Sequence, residues 1–486
     1  MSRLKQLGKD SVIYGLGGIF AKGISFFLLP IYTRIFTPAE YGVIEMLLVI
    51  ANFVAAILTM GMDSAQSFYF SESKSRGLEA QVQVVSDILG WRITWGVFVV
   101  LVAATLSPLL NSLIFGDQLS YFHFICSFLG ALFSQSLTQA TDLFRLLFRP
   151  FHYIGATIAQ SVCSAILVLS FVLIFDQGIL GFILGSMMGS AFAATVGWYL
   201  LRDYVSFSSF SAKRWRRLIK FGAPLLPAGL AFYGMSMADR WFVQHYHGES
   251  ALGVYAVGAK LSMLMVLAVD TFRNAWWPIA MDALHADDGH QTFRIVARLY
   301  VCFGVVAIVV LTFASPALVA WFSGPDFREA WPLVGVLAWP ALFHGLFLVV
   351  SIGIWKSEKT GITLLLMSGA AILNLILNYV LVPAFGGLGA ALATTIAYGA
   401  WVSATAVISE RLWHIGYPLK LMIIQVIVGG LFVLYFVLNF KSTSFASLLL
   451  AGIVTLGVTL ALTFSKQDCS SFFRSVSMQW KKYFGN

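Results

Sequence analysis

With 59% of its 486 residues hydrophobic, 11% charged and a mean hydropathy of +0.84, this chain carries more apolar surface than a water-soluble core buries, which excludes a soluble globular protein. Its net charge of +9 comes from basic loops between apolar runs, the pattern of loops lying on an anionic leaflet, and makes no case for nucleic acid as a partner. Cys126, Cys163, Cys302 and Cys469 form no CxxC pair and no disulfide framework.

Taken in chain order, apolar runs each near the roughly 20 residues that cross a hydrocarbon core predict fourteen transmembrane helices. The first six lie at 11–36, 41–62, 84–108, 119–141, 155–176 and 179–201. The next six lie at 218–243, 251–272, 296–320, 333–355, 361–382 and 388–409, and the last two at 419–438 and 444–465. The first carries Lys22 and no small-residue cleavage site, so it is expected to stay as a helix. The fourth is the least apolar, with His123, Gln135, Gln139 and several serines. The last two read as additions to a twelve-helix body.

Lys and Arg alternate between loops, and that asymmetry sets the orientation. With the N-terminus in the cytoplasm, Arg3, Lys5, Lys9, Lys74, Arg76, Arg145 and Arg149 fall inside. So do the run from Arg202 to Lys220, then Arg273, Arg294, Arg298, Lys356, Lys359, Arg411, Lys420 and the basic tail. The outside loops hold Arg328 and Lys441 alone. Both termini are therefore expected in the cytoplasm.

The chain also repeats itself. "LGKDSVIYGLGGIFAKG", "YTRIF" and "EYGV" near the start are echoed by "LIKFGAPLLPAGLAFYG", "ADRWF" and "ALGVY" in the middle. Arg34 falls on Arg240, Gly42 on Gly253, Gly155 on Gly361 and Gly181 on Gly389, all at nearly one spacing. Six spans per repeat is an even number, so both halves enter the bilayer in the same direction, related by a pseudo-twofold axis along the membrane normal. The expected organisation is a six-helix lobe over 1–205, a second over 206–415, and a helical hairpin with a cytoplasmic tail over 416–486. Transporters of this build hold substrate between lobes that rock against each other. Gly181 and Gly389, opening the sixth and twelfth spans, belong to small-residue faces that let helices pack closely.

Charges within spans are the residues a bilayer makes costly. Lys22 and Lys260 each lie about ten residues into a span, about 15 Å from its start, near the midplane. One comes from each lobe, and together they make a candidate cationic patch for an anionic substrate. The alternative is that each pairs with a carboxylate such as Asp63, Asp270 or Glu45. Arg34 and Arg240 lie near outer span ends, where long side chains reach the interface. Asp239 adjoins Arg240, and the roughly 100° step between helical neighbours keeps the two from facing one partner well. Asp239 is expected to pair across helices or to serve in gating. Arg92 lies towards the cytoplasmic end of its span and can snorkel. Asn374 and Asn378, one turn apart, share a face and either bond a sugar or join helices; Gln135 and Gln139 repeat that spacing.

No catalytic constellation is evident. His245 and His247 flank one tyrosine without a third ligand, and "DALHADDGH" over 282–290 lacks metal-ligand spacing. There is no P-loop, and no outside loop long enough for a catalytic domain. No catalytic residue, metal or cofactor is expected.

The stretches "YGLGGIFAKGISFFLLPIYTRIFTPAEYGVIEM", "LIKFGAPLLPAGLAFYGMSMADRWFV", "ALGVYAVGAKL" and "PAFGGLGAALATTIAYG" resemble the polysaccharide transporters of the multidrug/oligosaccharidyl-lipid/polysaccharide superfamily. The resemblance covers the first twelve spans; the last two resemble the fourteen-helix members, including the lipid II flippase branch. It implies an all-α polytopic membrane protein with a MATE-like fold and a central cavity between two six-helix bundles. It implies a flippase of the bacterial cytoplasmic (inner) membrane that moves an undecaprenyl-diphosphate-linked oligosaccharide outward, driven by membrane potential or an ion gradient. The cargo would be an O-antigen, exopolysaccharide or capsule repeat unit, with the polymerase and chain-length machinery as partners. Cationic cavity positions of the lipid II branch fall in the first and eighth spans, where this chain has Lys22 and Lys260. Lysine keeps the charge of the arginine common there without its planar fork. Arg34, Arg92 and Arg240 join them as candidates. Asp63, Asp239 and Asp270 are candidate ion-coupling carboxylates, and Asn374 and Asn378 candidate polar cavity residues. A multidrug antiporter of the same fold would want an acidic cavity, which the basic midplane charges disfavour. A membrane subunit of a polysaccharide synthase is the other alternative.

Overall fold

The structure, a computed structural model, describes residues 23–24, 26–206, 211–284, 286, 288–359 and 361–463. Among them the chain is helical, with no strand. The first helix, α1, runs Phe26–Ile35. It is followed by α2 (Pro38–Thr59), α3 (Met62–Ser73), α4 (Leu78–Leu110), α5 (Tyr121–Leu146), α6 (Pro150–Leu169), α7 (Gly178–Leu200) and α8 (Ala212–Gly222). Then come α9 (Leu226–Ala283), α10 (Gly289–Phe322), α11 (Trp331–Val350), α12 (Ile352–Lys356), α13 (Gly361–Leu412), α14 (Leu419–Asn439) and α15 (Phe445–Thr463). Ten helical stretches among the described residues are long and apolar enough to cross a membrane. Lys22 and Cys469 lie outside the described residues; Cys126, Cys163 and Cys302 are free thiols.

Local chemistry sets the breaks. α2 starts with Pro38 behind a capping box: Glu40 donates its N–H to Thr37 Oγ1 at 3.3 Å, and Thr37 donates its own to Glu40 Oε2 at 2.9 Å. α9 and α13 each hold two expected spans end to end, divided by Gly248 (φ 82°) and Gly386 (φ 55°). Both glycines take the left-handed region that a Cβ disfavours, so the chain turns there in one residue. The second expected span does not end at 62. Left-handed Met60 and Gly61 kink it, and α3 carries the helix on to Ser73. The polar run "MDSAQSFYFSES" hides this, yet Met62, Ala65, Gln66, Phe70 and Ser73 fall on one buried face at helical spacing.

Grouped by contact, the described residues form two compact units. One is drawn from Met1–Lys260, Ala320–Ala330 and Met367–Thr394, the other from Leu261–Val319, Trp331–Leu366 and Thr395–Asn486. In the first, Phe70, Val85, Leu143 and Phe144 pack with the small Ala140 and Ala193. A Cβ on Gly185 or Gly189 of α7 would stand 2.4 Å from Val168 N or 2.2 Å from Ser164 Oγ of α6. The two helices thus meet backbone to backbone, as small-residue faces allow. The least apolar span, α5, turns its polar groups inward. Thr59 donates to Gln135 Oε1 at 2.9 Å, and Gln66 Nε2 donates to Gln139 O at 3.1 Å. These bonds satisfy part of its polarity within the protein, while the buried Gln139 side-chain amide has no partner among the described residues.

The basic stretch after the sixth span folds in part as α8, held to the same unit. Leu218 is buried against Met62, Ala65 and Ile88, and Trp215 meets Trp91 edge-on at 5.6 Å. Arg214 Nη2 donates to Asp87 Oδ1 at 2.9 Å. Hydrogen bonding to Asp87 holds the Arg214 charge more firmly than usual, against partial desolvation. In the second unit, Tyr300 donates to Leu342 O at 3.1 Å and Thr395 to Val336 O at 3.0 Å. Gln425 joins α14 to α15 through Thr463 Oγ1 at 2.6 Å and Thr459 O at 3.1 Å.

Candidate functional site

Asp239 and Arg240 pair with each other despite their step around the helix. The long arginine side chain folds back along α9, so Nη1 donates to Asp239 Oδ1 and to Ser236 O, both at 3.0 Å. Its Nε donates to Glu45 Oε1 of α2 at 2.9 Å. Beyond the Gly248 turn, fully buried Tyr255 donates its hydroxyl to Asp239 Oδ2, and its ring centre lies 5.8 Å from the guanidinium. Two carboxylates therefore face one guanidinium, leaving a negative surplus within the spans. Glu45 had a readable signal, being the lone acid inside "YGVIEMLLVI", but its partner did not.

The same end holds a reciprocal contact. A Cβ on Gly42 would stand 2.0 Å from Glu249 O, and one on Gly253 would stand 1.9 Å from Pro38 O. These two glycines are mates in the sequence repeat, and each admits the backbone beside the other. Gln244 Nε2 donates to Ile114 O at 3.0 Å, and His247 Nε2 lies 2.8 Å from Val382 O. Arg34 is not brought to the carboxylates. It is exposed and donates to Pro30 O at 2.7 Å and Trp321 O at 3.3 Å.

At the Ser73 end, Arg92 does not snorkel. It is 6% exposed, with Nη2 donating to Asp63 and Nη1 to Gln135 O at 3.0 Å. The continuation of α2 into α3 puts a carboxylate where the sequence reading had a loop. Beside this pair opens a cleft of about 1000 Å³ lined by Asp63, Ser64, Ser67, Phe68, Ser71 and Glu72 of α3, Asp142, Arg145 and Leu146 of α5, and Phe221 of α8. Phe68 and Phe221 stack at 5.1 Å. Asp142 pairs with Arg145, while Glu72 takes Arg76 and, at 3.1 Å, Arg217. Ser64, Ser67, Phe68, Ser71 and Glu72 recur at i, i+3, i+4, i+7 and i+8, one polar stripe on one helix. Hydroxyls that both donate and accept, paired charges and an aromatic face suit a hydrated, multi-hydroxyl ligand. That stripe was legible in "SAQSFYFSES" and sequence reasoning missed it.

The remaining candidates lie apart. Asn374 and Asn378 are fully buried, with Asn378 Nδ2 donating to Asn374 Oδ1 at 3.1 Å and Asn374 Nδ2 to Thr394 Oγ1 at 3.2 Å. They tie the two halves of α13 together. Asp270 pairs with Arg273 at 3.1 Å in the second unit. Lys260 is half-buried and makes no hydrogen bond or ion pair among the described residues. An apolar groove of about 620 Å³ runs between α2, α4 and the first half of α9, with Phe53, Trp95, Phe98, Leu106, Met237 and Trp241 among its walls.

Residues 7–284 match the family model described as "Polysaccharide biosynthesis protein", and residues 224–380 match the MatE model. An Lsg locus protein of Haemophilus influenzae is 23% identical over 343 residues, covering 65% of this chain and 75% of that protein. The succinoglycan biosynthesis transport protein ExoT of Rhizobium meliloti is 22% identical over 325 residues, covering 65% of this chain and 62% of its own. The solved structure of a lipid II flippase, MurJ, in its inward closed conformation superposes with a TM-score of 0.70 at 14% identity, over 96% of this chain and 99% of that one. The fold is accordingly an all-α, polytopic, MATE-like membrane fold.

Proposed function

From its place in the polysaccharide biosynthesis protein family, to which the chain belongs, we propose that it is a flippase moving a polyprenyl-diphosphate-linked oligosaccharide from the cytoplasmic to the outer leaflet. The family match over 7–284 carries this reading, and the transport role in the name of ExoT supports it. The polar cleft at the Ser73 end suits a sugar chain, and the apolar groove suits an isoprenoid tail. Lobes over 1–205 and 206–415 alternate access, the hairpin over 416–486 is an addition, and both termini are cytoplasmic. In this scheme Lys22 and Lys260 meet the anionic diphosphate. Arg92 and Arg240 are already committed to carboxylates, and Arg34 to backbone carbonyls. Membrane potential or an ion gradient drives export, with Asp63, Asp239 and Asp270 as candidate coupling groups. The polymerase and chain-length machinery would receive the product, which is an O-antigen, exopolysaccharide or capsule unit.

The test is the lipid-linked saccharide pool in a strain lacking the gene, measured beside its surface polysaccharide. Accumulation of the intermediate with loss of surface polymer is expected, and the sugars of that intermediate would identify the cargo. An unchanged pool and polymer would overturn the reading. The MatE match over 224–380 favours one rival, a multidrug or cation antiporter of the same fold. Drug sensitivity in that strain, with normal polymer, would establish the rival instead.

A further inference from the structure

The transport reading leaves Glu45 without a task, although it completes a buried cluster. Arg240 carries one positive charge, Asp239 and Glu45 each one negative, and Tyr255 none at neutral pH. The surplus negative charge sits inside the spans, where one added proton would cancel it. The hydrogen bonds distinguish the two carboxylates. Asp239 accepts three donors: the Arg240 backbone N–H at 2.9 Å, Arg240 Nη1 at 3.0 Å and the Tyr255 hydroxyl. Glu45 accepts one, Arg240 Nε at 2.9 Å, and its side chain is 13% exposed. Asp239 is thus held by three donors and Glu45 by one, so the Glu45 contact is the weaker link of the cluster.

The position of the cluster gives that proton a consequence. Glu45 follows Gly42 by less than one turn of α2, and Tyr255 follows Gly253 closely, so the cluster lies directly behind the reciprocal glycine contact. The Arg240–Glu45 ion pair ties the first sequence half to the second there. Other bonds between the sequence halves at this end are uncharged or reach a backbone carbonyl, among them Gln244 Nε2 to Ile114 O, Gly324 N–H to Thr33 Oγ1 and Arg34 Nη2 to Trp321 O.

We propose that Glu45 is a proton-binding gate residue, whose protonation breaks the pair with Arg240 and opens the Gly42–Gly253 contact. The carboxylate gains one proton, its charge-assisted bond to Nε is lost, Arg240 stays neutralised by Asp239, and the cluster goes from one net negative charge to none. This role rests on the transport reading and specifies how a proton gradient enters it. The titratable and charged groups facing Glu45 among the described residues are Arg240 and Asp239 from the first half of α9, Tyr255 from its second half, and Tyr41 on α2 itself.

The test measures the gate directly. The full chain, with its four native cysteines replaced by alanine, is reconstituted in lipid nanodiscs. Spin labels go on Gln118→Cys and Ser250→Cys, both exposed at this end. The inter-label distance distribution is expected to lengthen between about pH 8 and about pH 4, an interval that brackets the ordinary glutamate value. Glu45→Gln should hold the long distribution at both values, and Glu45→Asp should keep the response. Glu249, His245 and His247 also titrate near this turn. If Glu45→Gln still follows pH as the parent does, one of those groups carries the switch and the assignment falls. An unchanging distribution in the parent overturns it equally. Neither result depends on cargo, so failure here is distinct from failure of the flippase reading, which the saccharide pool reports.

Discussion

Arg92 shows how one side chain depends on a partner beyond the reach of sequence reasoning. At 6% exposure its guanidinium has almost no water, so Asp63 supplies its counter-charge and Gln135 O a further acceptor. Asp63→Asn keeps the shape and removes the charge. We expect it to destabilise the protein by about 3 kcal/mol, the low end for breaking a buried pair, because Asp63 is itself 32% exposed. The double replacement Asp63→Leu with Arg92→Met should recover most of that loss. Thermal unfolding of the purified variants checks both, and a parent-like Asp63→Asn would show that the pair does not hold Arg92. Arg92 was legible alone as an expensive residue within a span, and Asp63 only as a charge just past the end of one. Their pairing was not, because it depends on α3, whose polar composition masks its helical period. Lys260 is the opposite case, half-buried and unpaired among the described residues. Lys260→Ala should insert and fold normally yet lose export, as read by the surface polymer of a complemented strain. Parent-level polymer would remove Lys260 from the cargo path.

Between elements, backbone proximity matters more than side-chain chemistry. Gly42 and Gly253 were readable as repeat landmarks, yet a repeat identifies equivalent positions and is silent on whether they touch. The structure sets each against a carbonyl of the opposing segment, Glu249 O and Pro38 O. A carbonyl at a helix start cannot swing aside as a flexible side chain does. Gly253→Ala should therefore cost the closed arrangement about 1–3 kcal/mol, the usual penalty for overpacking. It should lower the unfolding temperature and lengthen the Gln118–Ser250 label distance even at about pH 8. Gly130→Ala is the control, since its Cβ would meet Met187 at an ordinary 3.6 Å. Equal effects from the two substitutions would mean that the close approach does not control this end. The breaks at Gly248 and Gly386 follow the same logic. Their place between apolar runs was legible from hydropathy, whereas the one-residue turn depends on a backbone conformation that hydropathy does not encode.

For the molecule as a whole, the bilayer made the fold class legible, because a chain this apolar can satisfy its backbone in lipid only as helices or a closed barrel. The polar cleft was legible only in its α3 stripe and the apolar groove not at all, since both are assembled from helices far apart in sequence. A lipid-linked saccharide presents a hydrated glycan and an apolar tail, and the first compact unit offers a surface suited to each. Ser67 separates the alternatives for the polar cleft. Its side chain is exposed on the α3 stripe, so a larger residue there displaces no core atom and should shift stability by no more than about 0.5 kcal/mol. Ser67→Trp should fill part of the cleft and reduce surface polymer on the order of tenfold or more, the factor that roughly 1.4 kcal/mol on a rate-limiting barrier produces. The lipid-linked intermediate should rise in step while the unfolding temperature stays at the parent value. Ser67→Ala, which only empties the site, should export nearly as the parent does. If Ser67→Trp also exports normally, the glycan does not pass this cleft, and its route must be sought near Lys260.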